Sequence, residues 1–317
     1  MDLSVITVTW NSAELIAEQI KSVRLGCRNI SFEEIVVDNA STDGTVSVVE
    51  KQSVIPAKAG IHVASSNGLD SRESGNDNGI IGLIKNDRNT GFAYPNNQAA
   101  KIAKGDFLLF LNPDMRVQEG SLDVMVQWMK NYPDVGLASC KLVDEHGNIN
   151  EDAKPRRFPG LLDQAALILK IPHIFPGVLN RYLFKDFNQD KEQEVDSVRG
   201  SFMIMRREVY EKLGWAFDPR YFIWFEDVDL CREVTRLGFK VMYTPVITCV
   251  DYVGQSFKKR TTLWKQKQFT KSMAQYFKKW EPWYKWATIA LLRPAGIVMA
   301  WGNDVSHNLK CKNQKLN

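Results

Sequence analysis

Thr9-Trp10-Asn11, Asp38-Asn39-Ala40-Ser41-Thr42-Asp43-Gly44 and Asn112-Pro113-Asp114 gather carboxylates, amides and hydroxyls into short runs, each directly after a run of apolar residues. A carboxylate so placed accepts hydrogen bonds from a base or a ribose, and one beside a diphosphate holds a divalent ion. The same residue types also build ordinary turns and helix caps, so one cluster alone points nowhere. Three in register at successive strand ends point to a ligand, because open α/β sheets bind their ligands beyond the carboxyl ends of the strands.

The elements that must position these clusters follow from periodicity. Leu3 to Thr9 is a β-branched run, and Leu15, Ile16, Ile20 and Val23 then recur at helical spacing. Glu34 to Asp38 repeats the strand signal before a turn cluster and a helix over Thr45 to Lys51. Ile80 to Lys85 reads as a third strand, Asn97 to Ala103 as a helix, and Asp106 to Leu111 as a strand apolar on both faces. Such alternation predicts a mostly parallel sheet covered by helices on both sides. Further strands are expected at Gly136 to Leu142, Ser201 to Met205 and Lys240 to Thr244, the last ending before Pro245, with a helix over Val228 to Leu237.

The 317 residues, 44% apolar and a quarter charged, exclude disorder and fibrous repeats. A net charge of +4 is too small for a chain-wide nucleic-acid surface, and no base-reading motif is present, so no nucleic-acid partner is expected. The charge is uneven: 13 Lys/Arg against 2 Asp/Glu from Lys258 onward, and 28 against 35 before it. Five scattered cysteines, Cys27, Cys140, Cys231, Cys249 and Cys311, lack zinc-site spacing and read as reduced, packed thiols of a cytoplasmic protein. Met1 to Trp10 has no signal-peptide pattern. Ala287 to Trp301, interrupted by Arg293-Pro294, falls short of the roughly 20 apolar residues of a spanning helix.

Taken in order, VTWN (8–11), VVDNASTDGT (36–45), NTGFAYPNNQA (89–99), LNPD (111–114), VRGSFMIMRR (198–207) and WFEDVDLCRE (224–233) resemble the family 2 glycosyltransferases of the GT-A fold, in their rhamnosyltransferase-like branch. The resemblance implies an α/β fold of GT-A type: a mostly parallel central sheet flanked by helices, with a Rossmann-like nucleotide-binding half and a C-terminal helical extension. It implies a glycosyltransferase domain over 1–257 and a basic, aromatic-rich extension over 258–317. Residues 52–79 are too long for a connection of this kind and read as an inserted surface loop whose wording resembles an in-frame mobile palindromic repeat. A functional lid is the other reading.

What the resemblance implies for single residues can be checked against their chemistry. Asp38 would accept from a pyrimidine N–H, with Thr9, Asn11, Asn39 and Asp43 around base and ribose. Arg88, Asn89, Gly91 and Asn97 would line the nucleotide and sugar side, although a solvated surface charge suits Arg88 equally. Asp114 would bind Mg²⁺ or Mn²⁺ at the diphosphate, with Asn112 replacing the carboxylate of a plain DxD. Asp251 stands where relatives carry the His of an HxxGxS pattern and could still ligate the ion. Asp227 would be the general base of an inverting displacement, its helix-capping alternative being equally open on position alone. Gly200, Trp224 and Glu226 would face acceptor and sugar. Tyr221 would stack on a sugar or pack, Arg157-Phe158-Pro159 resembles an acceptor-facing stretch, and Arg206-Arg207 would sit on a solvated face.

The reaction so implied transfers a deoxyhexose such as rhamnose from a dTDP- or UDP-linked donor to a saccharide acceptor on a polyprenyl diphosphate, in surface polysaccharide biosynthesis. The other function class is a catalytically weak nucleotide-sugar-binding or scaffold protein of the same pathway. In Lys258 to Lys285, lysines interleave with Trp264, Phe269, Tyr276, Phe277, Trp280 and Trp283. That pattern fits a peripheral foot at the cytoplasmic face of the inner membrane, or a helix packing its aromatics on the body.

Overall fold

The computed structural model describes residues 1–52, 61–64, 80–252 and 261–314. In chain order the strands and helices are β1 Leu3–Thr9, α1 Ile16–Gly26, β2 Phe32–Asp38, α2 Thr45–Glu50, β3 Ile61–Ala64, β4 Ile80–Lys85, α3 Ala93–Ile102, β5 Phe107–Leu111, β6 Met115–Val117 and α4 Ser121–Asn131. There follow β7 Val135–Val143, α5 Leu161–Ile168, β8 Gln193–Glu194, β9 Phe202–Arg206, α6 Arg207–Leu213, α7 Glu226–Arg236, β10 Lys240–Asp251, α8 Thr262–Trp280 and α9 Trp283–Gln314.

One ten-stranded sheet runs β3-β4-β2-β1-β5-β9-β7-β10-β6, with β8 paired to β10. The strands β4, β2, β1 and β5 are parallel neighbours, and β7 and β10 run the same way; β9 enters antiparallel between β5 and β7. Alternation along the strands divides the core. Leu109, with Leu3 and Val5, packs on α1 and α4. Leu108 and Phe110, with Ile6, Ile35 and Val37, pack on α3 and α7. Every residue of β5 is buried, as a strand apolar on both faces requires.

Three local differences from the sequence reading have physical causes. β10 continues past Pro245 to Asp251, because its pairing with β7 shifts between Thr244 and Thr248 and leaves residue 245, which has no N–H, outside the ladder. That continuation brings Asp251 beside β6, where Asp251 pairs with Met115. Within the expected insertion, Ile61–Ala64 forms an edge strand antiparallel to β4, and the rest of that stretch lies outside the described residues. Arg293-Pro294 does not interrupt α9, which runs through it. Cys27, Cys140, Cys231 and Cys249 are free and buried.

α8 follows the packing alternative for the tail. Met273, Tyr276 and Phe277 are buried against Tyr221 and Phe225, with Phe269 and Trp280 at the margin, while Lys267, Lys271 and Lys278 are exposed. α9 buries Ile289 and Ala300 and exposes Trp283, Tyr284, Leu291, Val298 and Trp301. No described helix is long and apolar enough to cross a membrane.

Glu34 in β2 is fully buried, and neither carboxylate oxygen has a partner among the described residues. Burial raises its pKa to about 7 from 4.5. Between those values the folded chain keeps a proton that the unfolded chain has lost, so stability falls as pH rises through this window. Glu34→Gln should remove that slope and add on the order of 2–3 kcal/mol at pH 8 with little change at pH 4.5, measured by urea unfolding. An unchanged slope contradicts the assignment.

Candidate functional site

A cavity of about 300 Å³ opens beyond the carboxyl ends of β1 and β5, bounded by the loops before β9 and α7. Its floor begins where β1 and β2 end. Asn11 and Ala40 adopt left-handed backbone, φ 52° and 64°, which turns both chains sharply away from the sheet. Thr9 and Asp38 are register partners at the two strand ends, and both are buried. Asp38 Oδ2 accepts from the Ser41 N–H at 3.0 Å. Asp38 Oδ1 and Thr9 Oγ1 are buried with no partner among the described residues. An unpartnered buried acceptor is costly, and a ligand N–H or O–H would relieve it.

Asn39 ties this floor to the wall. Its amide donates to Gly91 O at 2.7 Å and Asn89 Oδ1 at 3.2 Å, and its oxygen accepts from the N–H and hydroxyl of Thr90, each at 3.0 Å. Gly91 has φ +89°, and a Cβ there would lie 2.1 Å from Phe222 O, so only glycine fits. The next residue, Phe92, donates its N–H to the same Phe222 oxygen at 2.6 Å. Asn39, Asn89 and Gly91 line the cavity and also hold the segment leading to Trp224.

That segment ends in two consecutive left-handed residues, Trp224 at φ 64° and Phe225 at φ 68°. Each such bulky residue costs on the order of 1–3 kcal/mol, offset here by packing on α8. The turn starts α7 at Glu226 and sets Asp227 in the cavity wall. Asp227 is half-buried; its Oδ2 accepts from the Gly200 N–H at 3.2 Å and its Oδ1 from the Val228 N–H at 2.8 Å. A Cβ on Gly200 would meet Asp227 at ordinary contact distance, 3.6 Å, so packing within the protein does not demand glycine there. Glu226 also lines the cavity but is buried, with Oε2 unpartnered among the described residues. Burial first, then the Asp227 charge, raises its pKa well above the usual carboxylate range.

On the β6 and β10 side stand Asp114 and Asp251, brought together by the strand pairing and by the Tyr252 N–H donating to Asp114 O at 3.0 Å. Asn150 donates to Asp251 Oδ2 at 3.0 Å, and Asn112 is held through its N–H to Ser201 O at 3.0 Å. No cluster of three or more His, Cys, Asp or Glu that could hold an ion forms among the described residues. Two carboxylates with amide oxygens nearby are nevertheless a hard-oxygen donor set that fits Mg²⁺ or Mn²⁺ once a ligand's phosphates and water complete the shell.

Asp38 is not among the residues that line the cavity, and other expected residues also lie outside its wall. Asn11 accepts from the Thr42 N–H at 2.8 Å, and Asp43 accepts from the Ala13 N–H at 3.2 Å while capping α2 through Thr45. Arg88 is exposed. Asn97 spends its side chain on the backbone of 216–217, donating to Phe217 O at 2.6 Å and accepting from Ala216 and Phe217. Arg157 lies over the Phe184 ring and bonds Asp196, and Tyr221 is buried. Arg206 and Arg207 are not a solvated face: they donate to the carbonyls that end α4 and α3, at Met129 and Tyr132 and at Ala103 and Gly105. Of the HxxGxS-like stretch, Val253, Gly254, Gln255 and Ser256 lie outside the described residues.

Several lining residues carried no signal that was used. Trp264 of α8 reaches the cavity beside Trp224, ring centroids 6.0 Å apart, so the C-terminal region shares in the site. Arg199 precedes Gly200 in the VRGSFMIMRR motif, and Asn150 and Asp152 come from an irregular connection. Below the wall, Lys279 of α8 bonds Asp229 at 2.7 Å, Glu233 at 2.8 Å and Asp218 at 3.1 Å, and Trp280 donates to Asp229 at 2.7 Å. α8 is therefore a strut under α7.

A Glycosyl transferase family 2 profile matches residues 4–214. Rhamnosyltransferase WbbL of Escherichia coli is 26% identical over 195 residues, covering 58% of this chain and 70% of that protein. The N-acetylglucosaminyl-diphospho-decaprenol L-rhamnosyltransferase of Mycobacterium tuberculosis is 24% identical over 151 residues, 48% of this chain and 48% of that protein, less than half its length. Among solved structures, mannosyltransferase PcManGT from Pyrobaculum calidifontis, in complex with GDP-Man and Mn²⁺, superposes with a TM-score of 0.54 at 19% identity over 95% of this chain and 73% of that one. The fold is thus of GT-A type.

Lys279→Met would leave Asp218, Asp229 and Glu233 without the cation that bridges them. The expected loss is about 3–5 kcal/mol in chemical denaturation, as for one partner removed from a buried ion network. A loss below about 1 kcal/mol would show that the strut is not what holds α7.

Proposed function

The chain belongs to glycosyltransferase family 2, and we propose that it is an inverting transferase moving a deoxyhexose such as rhamnose from a dTDP- or UDP-linked donor to a saccharide on a polyprenyl diphosphate. The observation that carries this reading is Asp227, a half-buried carboxylate oriented by the Gly200 N–H in the wall of the cavity that also holds Asp114 and Asp251. The unpartnered acceptors of Asp38 and Thr9 support a pyrimidine ring N–H and a hydroxyl as their partners. The name of the mycobacterial relative supports a diphosphate-linked acceptor.

In the proposed reaction Asp227 takes the proton of an acceptor hydroxyl as its oxygen forms a bond to the anomeric carbon. The bond from that carbon to the diphosphate oxygen breaks, and its electron pair leaves with the nucleoside diphosphate. Glu226, whose charged form burial disfavours, would donate a hydrogen bond from its protonated form to a sugar hydroxyl beside the reacting carbon. Thr9 in the cavity wall and its register partner Asp38 orient the base, while Trp224 and Trp264 exclude water from one side. A divalent ion held by Asp114 and Asp251 would supply charge stabilisation at the leaving diphosphate. The exposed aromatics and aliphatics of α9, with the lysines of the tail, suit a membrane surface where a lipid-linked acceptor resides.

Asp227→Asn should lower kcat for nucleoside diphosphate release by about 10²- to 10⁴-fold and leave nucleotide affinity within about threefold. Wild-type turnover should be faster on prenyl-linked acceptor in anionic vesicles than in neutral ones. A variant that turns over like wild type would instead favour a weak binding or scaffold protein, with Asp227 serving only the helix terminus.

A further inference from the structure

The described lining of the cleft carries five acidic side chains, Asp114, Asp152, Glu226, Asp227 and Asp251, and one cationic side chain, Arg199. Arg199 is half-buried on the loop before β9, directly preceding the Gly200 N–H that orients Asp227. Among the described residues no carboxylate or carbonyl accepts from its guanidinium, which interacts with Glu226 and Arg156 through charge. Arg156, close enough to feel the Arg199 charge, lies over the Tyr182 ring at 5.7 Å and donates to Asp152 O at 3.4 Å. Burial, followed by the charge of Arg199, lowers the Arg156 pKa, as expected of two like charges sharing a partly dry corner.

Arginines held this way in proteins ordinarily end on a carboxylate or a phosphate, because the planar fork matches two oxygens at once. Here the described residues supply neither. A nucleoside diphosphate brings more negative charge than one divalent ion cancels, and it enters a cleft whose walls are otherwise acidic. We propose that Arg199, backed by Arg156, is a phosphate-binding position of this cleft, taking oxygens of a substrate diphosphate. The inference rests on the reading of the cleft as a nucleotide-sugar site. The same chemistry has two sources, the diphosphate of the donor and the diphosphate that carries the acceptor, and the test separates them.

Arg199→Gln and Arg199→Lys are made in the full chain. With Mn²⁺ present, calorimetry compares UDP and dTDP with UMP and dTMP. Steady-state kinetics compares prenyl-diphosphate-linked N-acetylglucosamine with its methyl glycoside. The Gln variant should weaken one diphosphate ligand by about 10- to 100-fold, the loss expected for a charge-assisted bond. Its phosphate-poor counterpart should change by less than about threefold, and Lys should restore part of the loss. Loss on the nucleotide arm assigns the donor, and loss on the acceptor arm assigns the carrier. Because no hydrogen bond or ion pair of the Arg199 side chain forms among the described residues, both variants should keep the wild-type thermal midpoint. Equal losses on diphosphate and phosphate-poor ligands, no loss on any, or a variant that fails to fold would overturn the proposal. A wild-type protein that binds nucleotide while Arg199 proves silent removes this inference alone; one that binds none of the ligands removes the reading beneath it as well.

Discussion

The hydrogen bond from the Gly200 N–H to Asp227 Oδ2 is the contact on which the cleft is organised, because it joins the loop before β9 to the first turn of α7. Neither side is free to move. Ser201 beside Gly200 accepts from the Asn112 N–H at the end of β5, and Asp227 follows two left-handed aromatic residues packed on α8. Strain of this kind persists only when its surroundings over-determine it. The surroundings here are the buried aromatic cluster of Tyr221, Phe225, Tyr276 and Phe277 and the Lys279 network under α7. The C-terminal helices thus belong to the architecture of the site, and Trp264 takes part in its wall.

Electrostatics divides the two adjacent acids of that turn. Burial and the neighbouring carboxylate disfavour the charged form of Glu226, whereas Asp227 is half-buried and bonded to two backbone N–H groups. Both side chains line the cleft, so one sequence pair brings a buried and a half-buried carboxyl group to the same wall. Across the cleft, Asp114 and Asp251 concentrate negative charge at the junction of β6 and β10, which favours a hard cation and whatever anion that cation brings.

The sequence read well where one element dictates its own form. The runs of β1, β2 and β5 carry their burial in their residue types, and the polar clusters at their ends fall where strand ends must fall. It read less well where distant segments meet. Asn97 looked like a ligand residue because it lies in a polar motif, yet the backbone of 216–217 claims its amide. Arg206 and Arg207 looked solvated because charge usually is, yet helix ends at α3 and α4 need donors. Pro245 looked like a stop, and a bulge carries β10 past it to bring Asp251 to the cleft. The strut from Lys279 to three carboxylates spans some fifty to sixty residues of chain, a separation at which no periodicity speaks. Arg199 is visible in its motif, but its lack of a hydrogen-bond partner among the described residues is a property of the folded chain alone.

The account stands on Asp227 acting directly at the acceptor hydroxyl, in a single displacement with no covalent sugar intermediate. That geometry fixes the stereochemistry of the product. Nuclear magnetic resonance of the transferred sugar, using the donor that the protein turns over, reads the configuration of its anomeric carbon. Inversion relative to the donor is the predicted result; retention would contradict the role assigned to Asp227.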